Sequence, residues 1–186
     1  MSRRPASDSI AGTAWTGGID GTGASERTGR PWASPRGLYR TVAVAEAITW
    51  ALLLGGMLIK YVLVGGEPGD IAVRVGGFLH GLVFLAYVFT AVLVGLHQRW
   101  GARLTALAVG TAVVPFATIP FDRWLERRGL LHGAWRREAT DDPRDFAGTD
   151  RLLRWALNHP VLLVLGSVLG LAAVMTVLLL IGPPGR

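Results

Sequence analysis

The sequence predicts an all-α, polytopic transmembrane helical bundle of four spans, and three observations carry that prediction. Hydrophobic residues make up 51% of the 186. They fall in long blocks almost free of charge, without the period that leaves one face of a soluble helix wet. Most of the blocks reach the ~20 apolar residues that a bilayer crossing needs at ~1.5 Å each. The formal net charge of +6 comes almost wholly from arginine, with one lysine, Lys60. These arginines flank the apolar blocks, where they contact anionic headgroups and set orientation. The expected partner is therefore the lipid bilayer with its anionic headgroups, and no nucleic acid. The chain has no cysteine, which excludes disulfides, thiolate metal sites and cysteine nucleophiles.

Residues 1–37 are rich in Gly, Ser, Thr and Arg and hold too little apolar surface to offset the entropy of ordering, so they read as a disordered tail. The first span covers about 38–64 and carries Glu46 near one end and Lys60 near the other. The stretch 65–70, GGEPGD, reads as a turn. A second span over 71–97 holds His80, with Arg74 at its mouth, and the link 97–103 leads to a third block at 104–121. That block is uncharged but short, and it contains Pro115 and Pro120. The arginine-rich segment 129–160 reads as a surface loop with an interfacial amphipathic helix. Asp150 would cap that helix, Leu152, Leu153, Trp155 and Ala156 would rest on the membrane, and Arg151 and Arg154 would face water. The fourth span, 161–181, has no charge. The three-helix membrane domain is thus 38–128, with the loop and the fourth helix added behind it.

Positive-inside counting divides the models of the third block. With four full crossings, nine Lys/Arg fall on one side and ten on the other, and neither orientation is favoured. If the third block dips in and returns, sixteen share one side and three the other. The two prolines suit such a re-entrant shape. Against it stands the cost of irregular backbone exposed to lipid in so small a protein. A kinked crossing helix is the expectation, and the re-entrant hairpin is the alternative.

Ionisable groups inside a span cost ~2.5–3.5 kcal/mol or more at the centre, so each needs a reason. Glu46 is expected ~7 Å from the midplane and His80 on its opposite side, a depth separation of roughly 13 Å that disfavours a direct pair. For Glu46 the plain reading is a protonated or hydrogen-bonded group with a hydroxyl at its own depth, such as Thr49, Thr90 or Thr105. Thr118 and the Gly55-Gly56 pair fall nearer to His80. The sharper reading makes Glu46 and His80 stations of a polar path. Lys60, Arg74 and Arg99 read as interfacial charges, the first two beside Glu67 and Asp70. Glycines 55, 56, 76, 77 and 81 would let the first two helices approach, with Gly77, His80, Phe84 and Tyr87 on one helical face as the packing seam. Gly166 and Gly170 form a weak GxxxG. The histidines (80, 97, 132 and 159) have no metal-ligand or haem spacing, so no cofactor or metal is expected.

Several of these residues recur together in a known pattern. Tyr39-Arg40 and Glu46, Lys60-Tyr61, Arg74, Gly77, the His80-Gly81 pair with Phe84, Arg99-Trp100, and Pro115-Phe116 with Asp122 stand at matching places. Over about 39–129 the chain resembles a family of small bacterial three-helix integral membrane proteins with a His-Gly signature, catalogued as a domain of unknown function. The resemblance implies a full third helix and supplies no reaction and no ligand. The functional expectation is a multi-pass protein of the bacterial plasma (inner) membrane, non-enzymatic, serving as a structural or accessory subunit in a homo-oligomer or larger complex. The alternative is a small-solute or proton-coupled transporter using Glu46 and His80.

Overall fold

The computed structural model describes residues 34–182, which are helical and without strands. Helix α1 spans Pro35–Leu58 and runs on through a wider π-helical turn, Ile59–Leu63. Ser34 caps it, its hydroxyl accepting from the Gly37 N–H at 3.0 Å, and Pro35 occupies the first position, where a missing N–H costs nothing. Residues 35–37 are thus helical and not part of a tail; residues 1–33 of the expected tail lie outside the described residues. Helix α2 is Gly66–His97. It begins five residues before the expected start, because the chain reverses at Gly65 and Gly66, both at positive φ. Glu67 then meets the positive end of the helix dipole, and Pro68 falls in the first turn.

The α1–α2 seam is built on glycine, at positions that differ in part from those expected. A Cβ at Gly56 would lie 2.9 Å from the Ala72 backbone, one at Gly76 3.1 Å from the Leu52 carbonyl oxygen, and one at Gly69 2.6 Å from Lys60 Cα. Gly55 meets open space, Gly77 is in ordinary contact with Leu53, and Gly81 faces Met175 in the last helix.

The third hydrophobic block is two short helices, α3 (Ala102–Thr111) and α4 (Thr118–Arg127), and it does not cross. Helix α3 starts where Thr105 and Trp100 pack on Gly95. It rises until Thr111 Oγ1 lies 3.0 Å from the Tyr87 hydroxyl and the Ala112 carbonyl oxygen accepts from Trp50 Nε1 at 3.2 Å. The chain then turns back. Thr118 meets Glu46, Asp122 lies 4.0 Å from Arg40, and Glu126 pairs with Arg36 and Arg40. The Leu130 carbonyl oxygen finally accepts from Trp100 Nε1 at 3.1 Å, back at the starting level. Each arm of ten residues is ~15 Å long, half of a bilayer core. This corrects the expected kinked crossing, and the prolines give the reason. Pro115 sits in the tip beside Phe116, which takes a left-handed φ of 63°, and Pro120 sits in the first turn of α4, where its lost N–H has no partner to lose.

The loop that follows folds back on the same end of the bundle. A short 3₁₀ turn (Pro143–Phe146) leads to α5 (Gly148–Asn158), whose Leu153 and Leu157 pack with Leu93, Leu38 and Trp135. Helix α6, Pro160–Ile181, then runs antiparallel to α2 from Leu163 near Leu93 to Met175 near Gly81. Helix α6 is peripheral and its apolar surface is almost wholly exposed. Among the described residues, three helices are therefore long and apolar enough to cross a membrane: Pro35–Leu63, Gly66–His97 and Pro160–Ile181. Among the described residues, twelve arginines (36, 40, 99, 103, 123, 127, 128, 136, 137, 144, 151, 154) gather towards one end, and Lys60 and Arg74 lie at the other.

Candidate functional site

The buried polar residues of the bundle converge where the hairpin docks on α1 and α2. Glu46 and Thr118 are fully buried, and Thr49 and Thr90 nearly so. Helix α4 runs back down the bundle, so it brings Thr118 to the depth of Glu46 and away from His80. Thr118 Oγ1 lies 2.8 Å from Glu46 Oε2 and 3.1 Å from the Ala43 carbonyl oxygen. His80 instead meets Thr49, whose hydroxyl lies 3.3 Å from its Nδ1 and donates to the Glu46 carbonyl oxygen at 2.9 Å. The hydroxyl partners are therefore exchanged relative to the sequence expectation: the hairpin carries Thr118 to Glu46, and the α1–α2 register, with Gly76 against Leu52, sets Thr49 beside His80. With its hydrogen given to that carbonyl, Thr49 accepts from His80 in the tautomer that carries the proton on Nδ1.

Glu46 and His80 do not touch, and Thr49 lies between them. The His80 ring is half-buried, packed 4.3 Å from the Trp50 ring and 6.1 Å from that of Phe84. Thr90 borders a cleft between α2 and α6 lined by Leu93, Leu163 and Leu171. A second polar chain, one that sequence reasoning missed, runs from Tyr39 to Tyr87 at 2.6 Å and from Tyr87 to Thr111 at 3.0 Å; Thr111 then donates to the Ala108 carbonyl oxygen at 2.6 Å. Tyr39 and Tyr87 are fully buried in the main apolar core beside Ala43, Ala91 and Ala108. Two tyrosine hydroxyls in apolar runs need partners when buried, and that need was the available signal.

Arg99 was expected at a lipid interface, and the structure places it among carboxylates. It takes a left-handed φ of 56° and reaches Asp142 at 2.6 Å, Asp145 at 2.5 Å and Asp150 at 3.1 Å. Arg136 and Arg154 close on Asp145 from the other side. Asp150 thus pairs with Arg99 and does not cap α5, and Arg154 turns inward. Of the expected membrane-facing residues, Leu153 packs on the bundle, whereas Leu152 and Trp155 are exposed. The Arg144 N–H and the Arg99 guanidinium hold the Asp142 carboxyl down to about 2, and the Thr140 hydroxyl and N–H lower that of Asp145. At the opposite end Lys60 pairs with Asp70 at 3.0 Å, while Arg74 is exposed. Among the described residues no three metal-ligating side chains cluster.

Among the described residues these contacts join the α3–α4 hairpin to α1 and α2. Residues 36–127 match the family model described as "Domain of unknown function (DUF3817)". The chain is 44% identical over 94 residues to the Streptomyces coelicolor protein named "Putative membrane protein SCO5905". That match covers 50% of this chain, and the chain spans only 11% of the relative's length. No solved structure matches.

Proposed function

We propose, from the premise that residues 36–127 belong to the DUF3817 family of membrane domains, that the chain is a non-enzymatic structural or accessory subunit of a plasma-membrane assembly. Three helices cross, the α3–α4 hairpin enters and leaves from one side, and α5 lies at that surface. Positive-inside bias makes the arginine-rich end cytoplasmic. One observation carries the reading: the polar side chains within the bundle tie the hairpin to α1 and α2. Glu46–Thr118, Tyr87–Thr111 and Trp50–Ala112 each link the hairpin to one of those helices. Groups used this way fix one packing and leave little to line a pathway. The exposed α6 supplies a lipid-facing or partner-facing surface for an oligomer or a larger complex.

The test compares Glu46→Gln and His80→Gln with the parent in membranes. Altered abundance or assembly with unchanged solute and proton flux is expected; unchanged abundance with loss of a transport activity refutes the reading. A transporter reading draws support from Thr49, which joins His80 on α2 to α1 beside Glu46. It requires that the reconstituted chain dissipate a pH gradient, and that Thr49→Val abolish the dissipation.

A further inference from the structure

The hydroxyl of Thr118 has one hydrogen and two neighbours placed to receive it. Its Oγ1 lies 2.8 Å from Glu46 Oε2 and 3.1 Å from the Ala43 carbonyl oxygen, and it can donate to only one of them. Both separations become hydrogen bonds if the proton between Thr118 and Glu46 belongs to the carboxyl group. Glu46 then donates from Oε2 to Thr118, and Thr118 donates to Ala43. The neighbouring Tyr39–Tyr87–Thr111 chain needs no added proton, since each hydroxyl donates once and the last hydrogen goes to Ala108.

The surroundings of the carboxyl point the same way. Glu46 is fully buried, and its second oxygen, Oε1, has no hydrogen-bond partner. Among the described residues no Lys, Arg or His pairs with it. The titratable groups near it are accounted for on every packed element. Tyr39 on α1 and Tyr87 on α2 bond each other, and Asp122 on α4 faces Arg40. His80 on α2 contacts Thr49 and not the carboxyl; on α3, Arg103 is exposed, Thr105 lies against Gly95, and the Thr111 hydroxyl is bonded to Tyr87. A carboxylate here would leave a charged oxygen unpaired in an apolar interior, whereas the carbonyl oxygen of a neutral acid is far cheaper to leave so.

We infer that Glu46 is a proton-binding site: in the docked hairpin it is a neutral carboxylic acid, and the bound proton fastens α4 to α1 through Thr118. Docking of the hairpin is thereby linked to proton uptake, and release of the hairpin lets the carboxyl ionise and give up its proton at the arginine-rich end. The inference rests on a count of donors and acceptors and holds whether or not the subunit reading does.

Two measurements on the full chain in lipid nanodiscs test it. Infrared spectra at neutral pH should contain a protonated-carboxyl stretch that Glu46→Gln removes. Loss of carboxylate intensity alone in that variant overturns the assignment. The natural absence of cysteine makes Ala117→Cys a unique reporter beside Thr118. Its labelling by a neutral thiol reagent should rise with pH relative to the same cysteine in the Glu46→Gln background. The expected slope is up to about tenfold per pH unit, that of one released proton. A ratio constant across the pH range overturns the linkage. Abundance and flux of Glu46→Gln report on the subunit reading separately, so the two can fail independently.

Discussion

Adjacent glycines in α1 should respond to the same substitution with opposite sign. A methyl group at Gly55 meets nothing within 4 Å, so Gly55→Ala gains only the helical preference of alanine, ~0.5–1 kcal/mol. A methyl group at Gly56 would sit 2.9 Å from both the carbonyl carbon and oxygen of Ala72 and 3.2 Å from Val73 N. These are backbone atoms of α2, which cannot rotate away, so α2 itself must move. Overpacking of this kind costs ~1–3 kcal/mol. Gly56→Ala carries the same alanine gain, so it should fall below Gly55→Ala by ~1–3 kcal/mol. Gly76→Ala, at 3.1 Å from the Leu52 carbonyl oxygen, should lie between them. The assay is unfolding of the detergent-solubilised chain by added denaturing surfactant, followed by helical circular dichroism. Equal shifts in one direction at positions 55 and 56 would refute the close α1–α2 approach.

Four further outcomes follow from the same geometry. Arg99→Ala should release the 129–147 loop, read as faster tryptic cleavage at Arg136 and Arg137, whereas Arg144→Ala should change the rate little, because Arg144 is exposed and pairs only with Asp142. Acid should release the loop too. The carboxyls of Asp142 and Asp145 are lowered in the folded state, so their contribution is present above the ordinary aspartate value of ~3.9. It should be lost as pH falls towards about 2, which cleavage by an acid-stable protease can follow. Cysteines at Glu67 and Thr140 should label from opposite faces of intact cells and inverted vesicles, and labelling from one face would restore four crossings. Phe116→Gly should preserve or raise stability by up to ~1–2 kcal/mol, because it removes a side chain from a left-handed backbone conformation; a large loss would mean that Phe116 packs in the assembled protein.

The spans were legible in the sequence because length and lack of charge are local properties. The direction of the third block was not. Its composition suits a crossing, and only the position of arginine on both sides of it, together with Pro115 and Pro120, spoke for a return. The same error moved Thr118 to the wrong depth and assigned it to His80. Arg99 was misread for a different reason. Its three partners, Asp142, Asp145 and Asp150, lie more than forty residues away in sequence, in a loop whose many arginines masked the aspartates among them. Tyr39 was noted in the family pattern, and Tyr87 on the packing face, but nothing in sequence spacing announces that their hydroxyls meet.

The buried polar residues and the hairpin explain each other. A chain that turns at mid-depth breaks the α-helical ladder there, and the freed carbonyl groups have no water to meet. Trp50 answers one of them by donating to Ala112, and the arms are held by Thr111 to Tyr87 and by Thr118 to Glu46. Trp50 and Glu46 lie on α1 and Tyr87 on α2, so the two long helices supply the partners. Tyr87→Phe would remove a hydroxyl that both accepts from Tyr39 and donates to Thr111. It should cost more than Thr111→Val, which breaks only the far end of that chain. If the hairpin were an incidental fold of an apolar segment, the two variants would be alike and both mild. A larger loss of hairpin protection in Tyr87→Phe, read by thiol labelling at Ala117→Cys, is the outcome that ties the buried polar residues to the re-entrant backbone.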